Sequence, residues 1–100
     1  MYMVKQEDIV EFEWDKGNID KNYEKHGTSI KEAEEVFLDE DLLQLDDVKH
    51  SQTEKRFTAI GNTFQKKLLF ATFTIRNGNI RIISVRIANK KERRMYEKKT

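Results

Sequence analysis

The stretch Leu68-Leu69-Phe70-Ala71-Thr72-Phe73-Thr74-Ile75-Arg76-Asn77-Gly78-Asn79-Ile80-Arg81-Ile82-Ile83-Ser84-Val85-Arg86-Ile87 reads as two strands joined by a two-residue turn. Both runs are rich in β-branched and aromatic residues, which suit a pleated surface. Asn77-Gly78 suits a type I′ turn, whose two central residues both need positive φ. Arg76 then faces Asn79, and counting back pairs Thr74 with Arg81, Phe73 with Ile82, Ala71 with Ser84 and Leu69 with Arg86. Side chains alternate between faces, so one surface carries Leu69, Ala71, Phe73, Ile75, Ile80 and Ile82, ending in Ser84 and Arg86. The other carries Phe70, Thr72, Thr74, Arg81, Ile83 and Val85 and suits the floor of a groove. Strict alternation puts Arg81 and Arg86 on opposite faces unless a bulge intervenes.

Working outward, Arg56 to Asn62 is a third strand of the same character, and Leu42 to Val48 is a fourth, with Lys49 to Lys55 as a polar loop. Ile9 to Trp14 alternates as a short edge strand, with Val10, Phe12 and Trp14 on one side and Glu11 and Glu13 on the other. A helix is predicted from about Asp15 to His26, ended by Gly27. Ser29-Ile30-Lys31-Glu32 is a capping box that opens a second helix to about Leu38, with Ile30, Ala33, Val36 and Phe37 as its buried stripe. Asn89-Lys90-Lys91-Glu92 opens a C-terminal helix through about Glu97. The layout is α+β: an N-terminal strand and two helices packed on an antiparallel meander sheet, followed by a terminal helix.

One hundred residues, 37% of them hydrophobic and 10% aromatic, suffice for one compact core, so residues 1–100 are expected to form a single domain. No apolar run is long enough for a membrane span, and Met1 to Val10 lacks the apolar stretch of a signal peptide, which points to the cytoplasm. Without cysteine there is neither a disulfide framework nor a thiolate metal site.

The net charge of +1 hides two poles. Glu32 to Asp47 holds eight acidic residues and no Lys or Arg, whereas Arg76 to Thr100 holds nine bases against Glu92 and Glu97. The basic pole suits phosphate and the acidic pole a cationic partner, although both are also compatible with plain solvated faces. His26 and His50 carry no metal-ligand pattern, and a histidine in the last turn of a helix is accounted for by the helix dipole. Arg81, Arg86 and the helix with Arg93 and Arg94 combine guanidinium forks with a helix start, a phosphate-binding combination that a salt-bridged surface helix would also produce. Glu54 stands beside Lys55 and Arg56, where a structural ion pair with Arg81 or Arg86 explains it equally well.

Several segments together resemble the BrnT family of bacterial toxins, small proteins with a RelE-like ribonuclease fold. They are Phe12-Glu13-Trp14-Asp15, Asn22 with Lys25-His26-Gly27, Ser29-Ile30-Lys31-Glu32-Ala33 leading to Val36-Phe37, Glu54-x-Arg56, Ile60-Gly61, and Arg81-Ile82-Ile83-Ser84-Val85-Arg86 with Glu92 and Tyr96. The family strand usually has Ala where Val85 stands. The resemblance implies the toxin of a type II toxin-antitoxin pair, a metal-independent endoribonuclease that arrests growth and is neutralised by a BrnA-like, DNA-binding antitoxin. It makes Arg86 or Arg81 the phosphate stabiliser, Glu54 and His26 the proton carriers, and Lys25 and Arg56, with Arg93 and Arg94, the contacts that hold RNA. The acidic residues Glu34, Glu35, Asp39 and Glu40 become a docking surface for the antitoxin or for a second toxin copy. No cofactor is implied. The alternatives are a module that binds nucleic acid without cutting it and a purely protein-binding partner.

Overall fold

The capping box at Ser29 forms as its spacing requires. Ser29 Oγ accepts from the Glu32 amide at 3.2 Å and Glu32 Oε1 accepts from the Ser29 amide at 3.1 Å, satisfying two donors that a helix start leaves open. The computed structural model describes residues 12–14, 29–47 and 54–99. Within them the order is β1 (Phe12–Trp14), α1 (Ile30–Val36), β2 (Leu43–Asp46), β3 (Arg56–Asn62), β4 (Leu68–Arg76), β5 (Asn79–Ile87) and α2 (Lys90–Lys99). The helix expected over Asp15 to His26, with its Gly27 cap, and the start of the first strand lie outside the described residues.

The strands form one sheet in the order β1-β5-β4-β3-β2. The antiparallel meander runs from β2 to β5, and Asn77 and Gly78 both adopt positive φ in the tight turn between β4 and β5. The expected all-antiparallel arrangement needs one correction: β1 joins the sheet itself, parallel to β5, with Glu13 opposite Arg81. The sheet is therefore mixed, its parallel edge reached by a chain crossing rather than by a hairpin.

α1 lies on one face. Ala33, Val36 and Phe37 pack on Phe57, Ala59, Leu69, Ala71, Phe73, Ile80, Ile82 and Val85, with Phe12 and Trp14 of β1 at the side. Phe37 meets Phe73 edge to face, ring centroids 5.0 Å apart, an arrangement that suits the ring quadrupoles. Ile30, expected in the buried stripe, is instead exposed at the first helical position. The helix comes so close to β3 that a Cβ on Gly61 would lie 2.9 Å from the Val36 carbonyl oxygen, which is why this position takes no side chain.

α2 covers one end of the opposite face, where Met95, Tyr96 and Ala88 pack with Leu43, Ile60, Leu68 and Phe70. The rest of that face, from Arg56 across to Arg81 and Ser84, is not covered by any described helix.

Candidate nucleic-acid interface

The register of β4 and β5 shifts part-way along the hairpin. Arg76 pairs with Asn79, Thr74 with Arg81 and Phe73 with Ile82 as counted, but then Thr72 pairs with Ser84, Ala71 with Val85 and Phe70 with Arg86. Ile83 is the extra residue, a β-bulge, and every side chain beyond it changes face. The pairs Ala71–Ser84 and Leu69–Arg86, expected from strict alternation, are therefore replaced. Val85, assigned to the outer face, is a core residue at 1% exposure, and Ser84 is exposed. The physical reason is apolar burial: a regular strand would place Ser84 in the core and Val85 in water, and one bulge reverses both. Arg86 consequently stands on the same face as Arg81.

Around Arg81 the sheet gathers charge. A depression of about 220 Å³ is lined by Glu54, Arg56, Thr74, Arg76, Arg81, Ile82 and Ile83. The Glu54 carboxylate takes two hydrogen bonds from Arg76, Nε to Oε2 at 2.6 Å and Nη2 to Oε1 at 2.8 Å. This bidentate pair holds the Glu54 carboxyl below the usual carboxylate range. Desolvation opposes the shift, and attraction to Arg76, Arg81 and Arg56 adds to it. Thr74 Oγ1 donates to the Lys55 carbonyl at 2.8 Å and so fixes the chain entering β3 on which Glu54 sits. Glu54 thus pairs with Arg76 rather than with Arg81 or Arg86. Sequence reasoning used Arg76 as the hairpin residue opposite Asn79 and as one charge of the basic pole, and did not place it in the site. The β3–β4 register supplies the signal, because Arg56 opposite Thr74 places residue 54 opposite residue 76.

Arg86 is engaged differently. Its two terminal nitrogens donate to the Glu92 carboxylate, both at 2.7 Å, and its guanidinium carbon lies 4.3 Å from the centroid of the Phe70 ring. Glu92 also accepts from the Asn89 amide at 2.9 Å, while Asn89 Oδ1 accepts from the Glu92 amide at 2.8 Å. Burial pushes the Glu92 carboxyl up, but the bonds from Arg86 and Asn89 outweigh it and hold the pKa low. The pair joins the end of β5 to the first turn of α2.

Next to the Arg81 depression, and sharing Arg56 and Ile83 with it, is a second one of about 320 Å³ that also takes in Asp47, Thr58, Phe70, Thr72 and Ser84. Arg93 and Arg94 are exposed on α2 and line neither depression. Lys25 and His26 lie outside the described residues. Of the acidic set, Glu40 is exposed and Glu34 accepts from Trp14 Nε1 at 3.4 Å. The other two are structural: Glu35 accepts from the Phe64 amide at 2.9 Å, and Asp39 accepts from the Asn62 amide at 2.7 Å and the Tyr96 hydroxyl at 2.6 Å.

A family model described as the ribonuclease toxin, BrnT, of type II toxin-antitoxin systems matches residues 14–92. The chain belongs to the BrnT family. A crystal structure of the Brucella abortus ribonuclease toxin BrnT, determined at 1.1 Å resolution, has 19% sequence identity and a TM-score of 0.60 over 80% of this chain and 97% of that one. At that identity the likeness concerns the α+β fold. Among curated protein sequences none matches. Membership in a type II family implies a protein antitoxin as partner, and the matched range contains Glu54, Arg56, Arg76, Arg81, Arg86 and Glu92 while ending before Arg93.

Proposed function

We propose that this chain is a metal-independent, RelE-like endoribonuclease that cuts RNA over the sheet face holding Glu54, Arg56, Arg76 and Arg81. The observation that carries the reading is a carboxylate kept ionised beside three guanidiniums in one open depression. Such a site can take the charge of a phosphate and offer a proton acceptor next to it.

In the reaction the ribose 2′-oxygen attacks the adjacent phosphorus, the 2′-oxygen–phosphorus bond forms and the bond to the 5′-oxygen breaks. Glu54 accepts the 2′-proton, using carboxylate lone pairs that Arg76 leaves open. Arg81, with Arg56 beside it, stabilises the pentavalent phosphate, the role a metal ion fills in other nucleases. His26 is the candidate donor to the departing 5′-oxygen, and Lys25, Arg93 and Arg94 hold the flanking strand. The products are a 2′,3′-cyclic phosphate and a 5′-hydroxyl. Arg86 is the anchor that fixes β5 to α2. RNA cutting of this kind would arrest growth, and a BrnA-like antitoxin relieves it by docking on the acidic side near Glu34 and Glu40.

Incubation of the purified protein with RNA in excess chelator tests the reaction. Cleavage with cyclic-phosphate ends, lost on Arg81→Ala and on Glu54→Gln, is expected. RNA that is bound but stays intact would make the protein a binding module and overturn the nuclease.

A further inference from the structure

We infer that the second depression is a base subsite that holds one unpaired nucleobase next to the phosphate bound at Arg81. The inference rests on the reading of the sheet face as an RNA surface and adds what the strand must present there. The floor consists of the half-buried Phe70 and Ile83, and the hydroxyls of Thr58, Thr72 and Ser84 stand on the same face. Among the described residues no side-chain hydrogen bond engages these three hydroxyls. An apolar lining of Ile83 and of Phe70, whose ring also meets the Arg86 guanidinium, beside several hydroxyls that both donate and accept, matches a nucleobase, which has a π-face and a polar edge.

Position supports the assignment. On β4, Thr74 faces Arg81 and Thr72 faces Ser84, so the two sites are one pleat repeat apart, about 6.8 Å. That is the span of one extended nucleotide. The bulge at Ile83 makes the arrangement, because its side chain forms the shared wall and the shift it causes turns Ser84 outward. Charge agrees with position: Arg76 and Arg81 line only the first site, whereas the neighbouring one shares Arg56, adds Asp47 and is otherwise lined by neutral groups. A base paired in a duplex has its polar edge occupied and its face stacked, so the subsite selects single-stranded RNA.

Short single-stranded RNAs with one 2′-deoxy position to block cutting, and an abasic residue placed at each position in turn, test the subsite by fluorescence anisotropy. With the unmodified protein, one position is expected where loss of the base weakens binding about tenfold. Thr72→Trp, and separately Ser84→Tyr at an exposed position, fill the depression and should shrink that penalty below about twofold. Equal binding of abasic and intact strands by the unmodified protein overturns the inference, as does a penalty that survives in both variants. All-ribose strands incubated in parallel report on cleavage alone. Intact strands with the abasic penalty retained would remove the nuclease and keep the base subsite.

Discussion

Arg81 and Arg86 stand on one face of the sheet because Ile83 bulges from the ladder between them, yet their guanidiniums do different work. Arg86 is held by Glu92 and Phe70, whereas Arg81 lines the depression with Glu54. Arg81→Ala should lower RNA cleavage about 100-fold and cost less stability than the loss of Arg86, whose partner Glu92 is the more buried carboxylate. Arg86→Ala should do the reverse in urea unfolding, costing about 2 kcal/mol, because the Glu92 carboxylate, its side chain 11% exposed, loses its counter-charge. If Arg86→Ala leaves stability untouched while abolishing cleavage, the two assignments are exchanged.

The Glu54–Arg76 pair makes a prediction about the pH–rate profile. Arg76 holds the Glu54 carboxyl below its ordinary range, so a base at this position stays ionised throughout the neutral and mildly acidic range. The acid limb of kcat/KM should lie below the ordinary glutamate value of about 4.3. Arg76→Ala removes the largest lowering influence and should move that limb to higher pH. An acid limb that stays in place in Arg76→Ala would show that Glu54 is not the group titrating.

Much of this arrangement was legible in the residues, and the exceptions have physical causes. Asn77-Gly78 located the hairpin and its first pairs because only a narrow set of residues tolerates two positive φ values. The spacing of Ile80, Ile82 and Val85, with Ser84 interrupting it, is the trace the bulge leaves, but it becomes visible only when burial is weighed against strict alternation. The pairing of Glu54 with Arg76 depends on the β3–β4 register, and the loop Thr63–Lys67 that sets it lacks a turn signature of comparable strength. The parallel placement of β1 follows from how the chain crosses the sheet, which local pattern does not encode. Glu35 and Asp39 looked like members of one acidic run because charge is counted along the chain. Their role as acceptors for Phe64, Asn62 and Tyr96 arises between segments distant in sequence.

Stability should form a plateau bounded on both sides by identifiable groups. Burial pushes the Asp39 carboxyl up, but the Asn62 amide, the Tyr96 hydroxyl and the Asp41 amide more than offset it, so its folded pKa is depressed, as is that of Glu92. Depressed carboxylates contribute stability above their unfolded values of about 4, and that contribution is lost as pH falls through the folded values. Tyr96 works in the opposite sense. Burial and the bond to Asp39 push it up to about 12, so its contribution is complete below about pH 10 and disappears as pH rises towards 12. Urea unfolding across pH should therefore show a fall below about pH 4 and another above about pH 10. Tyr96→Phe should flatten the alkaline fall, and an unchanged alkaline limb in that variant would locate it elsewhere.

The acidic run gives the last prediction, because its members are not equivalent. Glu40 is exposed and Glu34 makes one long bond to Trp14, so their charge is available to a cationic partner. Asp39 sits where an amide and a phenol both donate to it, and a lysine there would face two donors with a third. Glu34→Lys with Glu40→Lys should keep the urea midpoint near that of the parent and weaken antitoxin binding at least tenfold, with a reduced dependence on salt. Asp39→Lys should lower stability by about 3 kcal/mol, since it strands the Asn62 amide and separates Tyr96 from α1's following turn. Isothermal titration against the cognate antitoxin, together with urea unfolding of each variant, separates the two effects. Full antitoxin affinity in the stable Glu34/Glu40 double variant would exclude this side of the molecule as the docking surface.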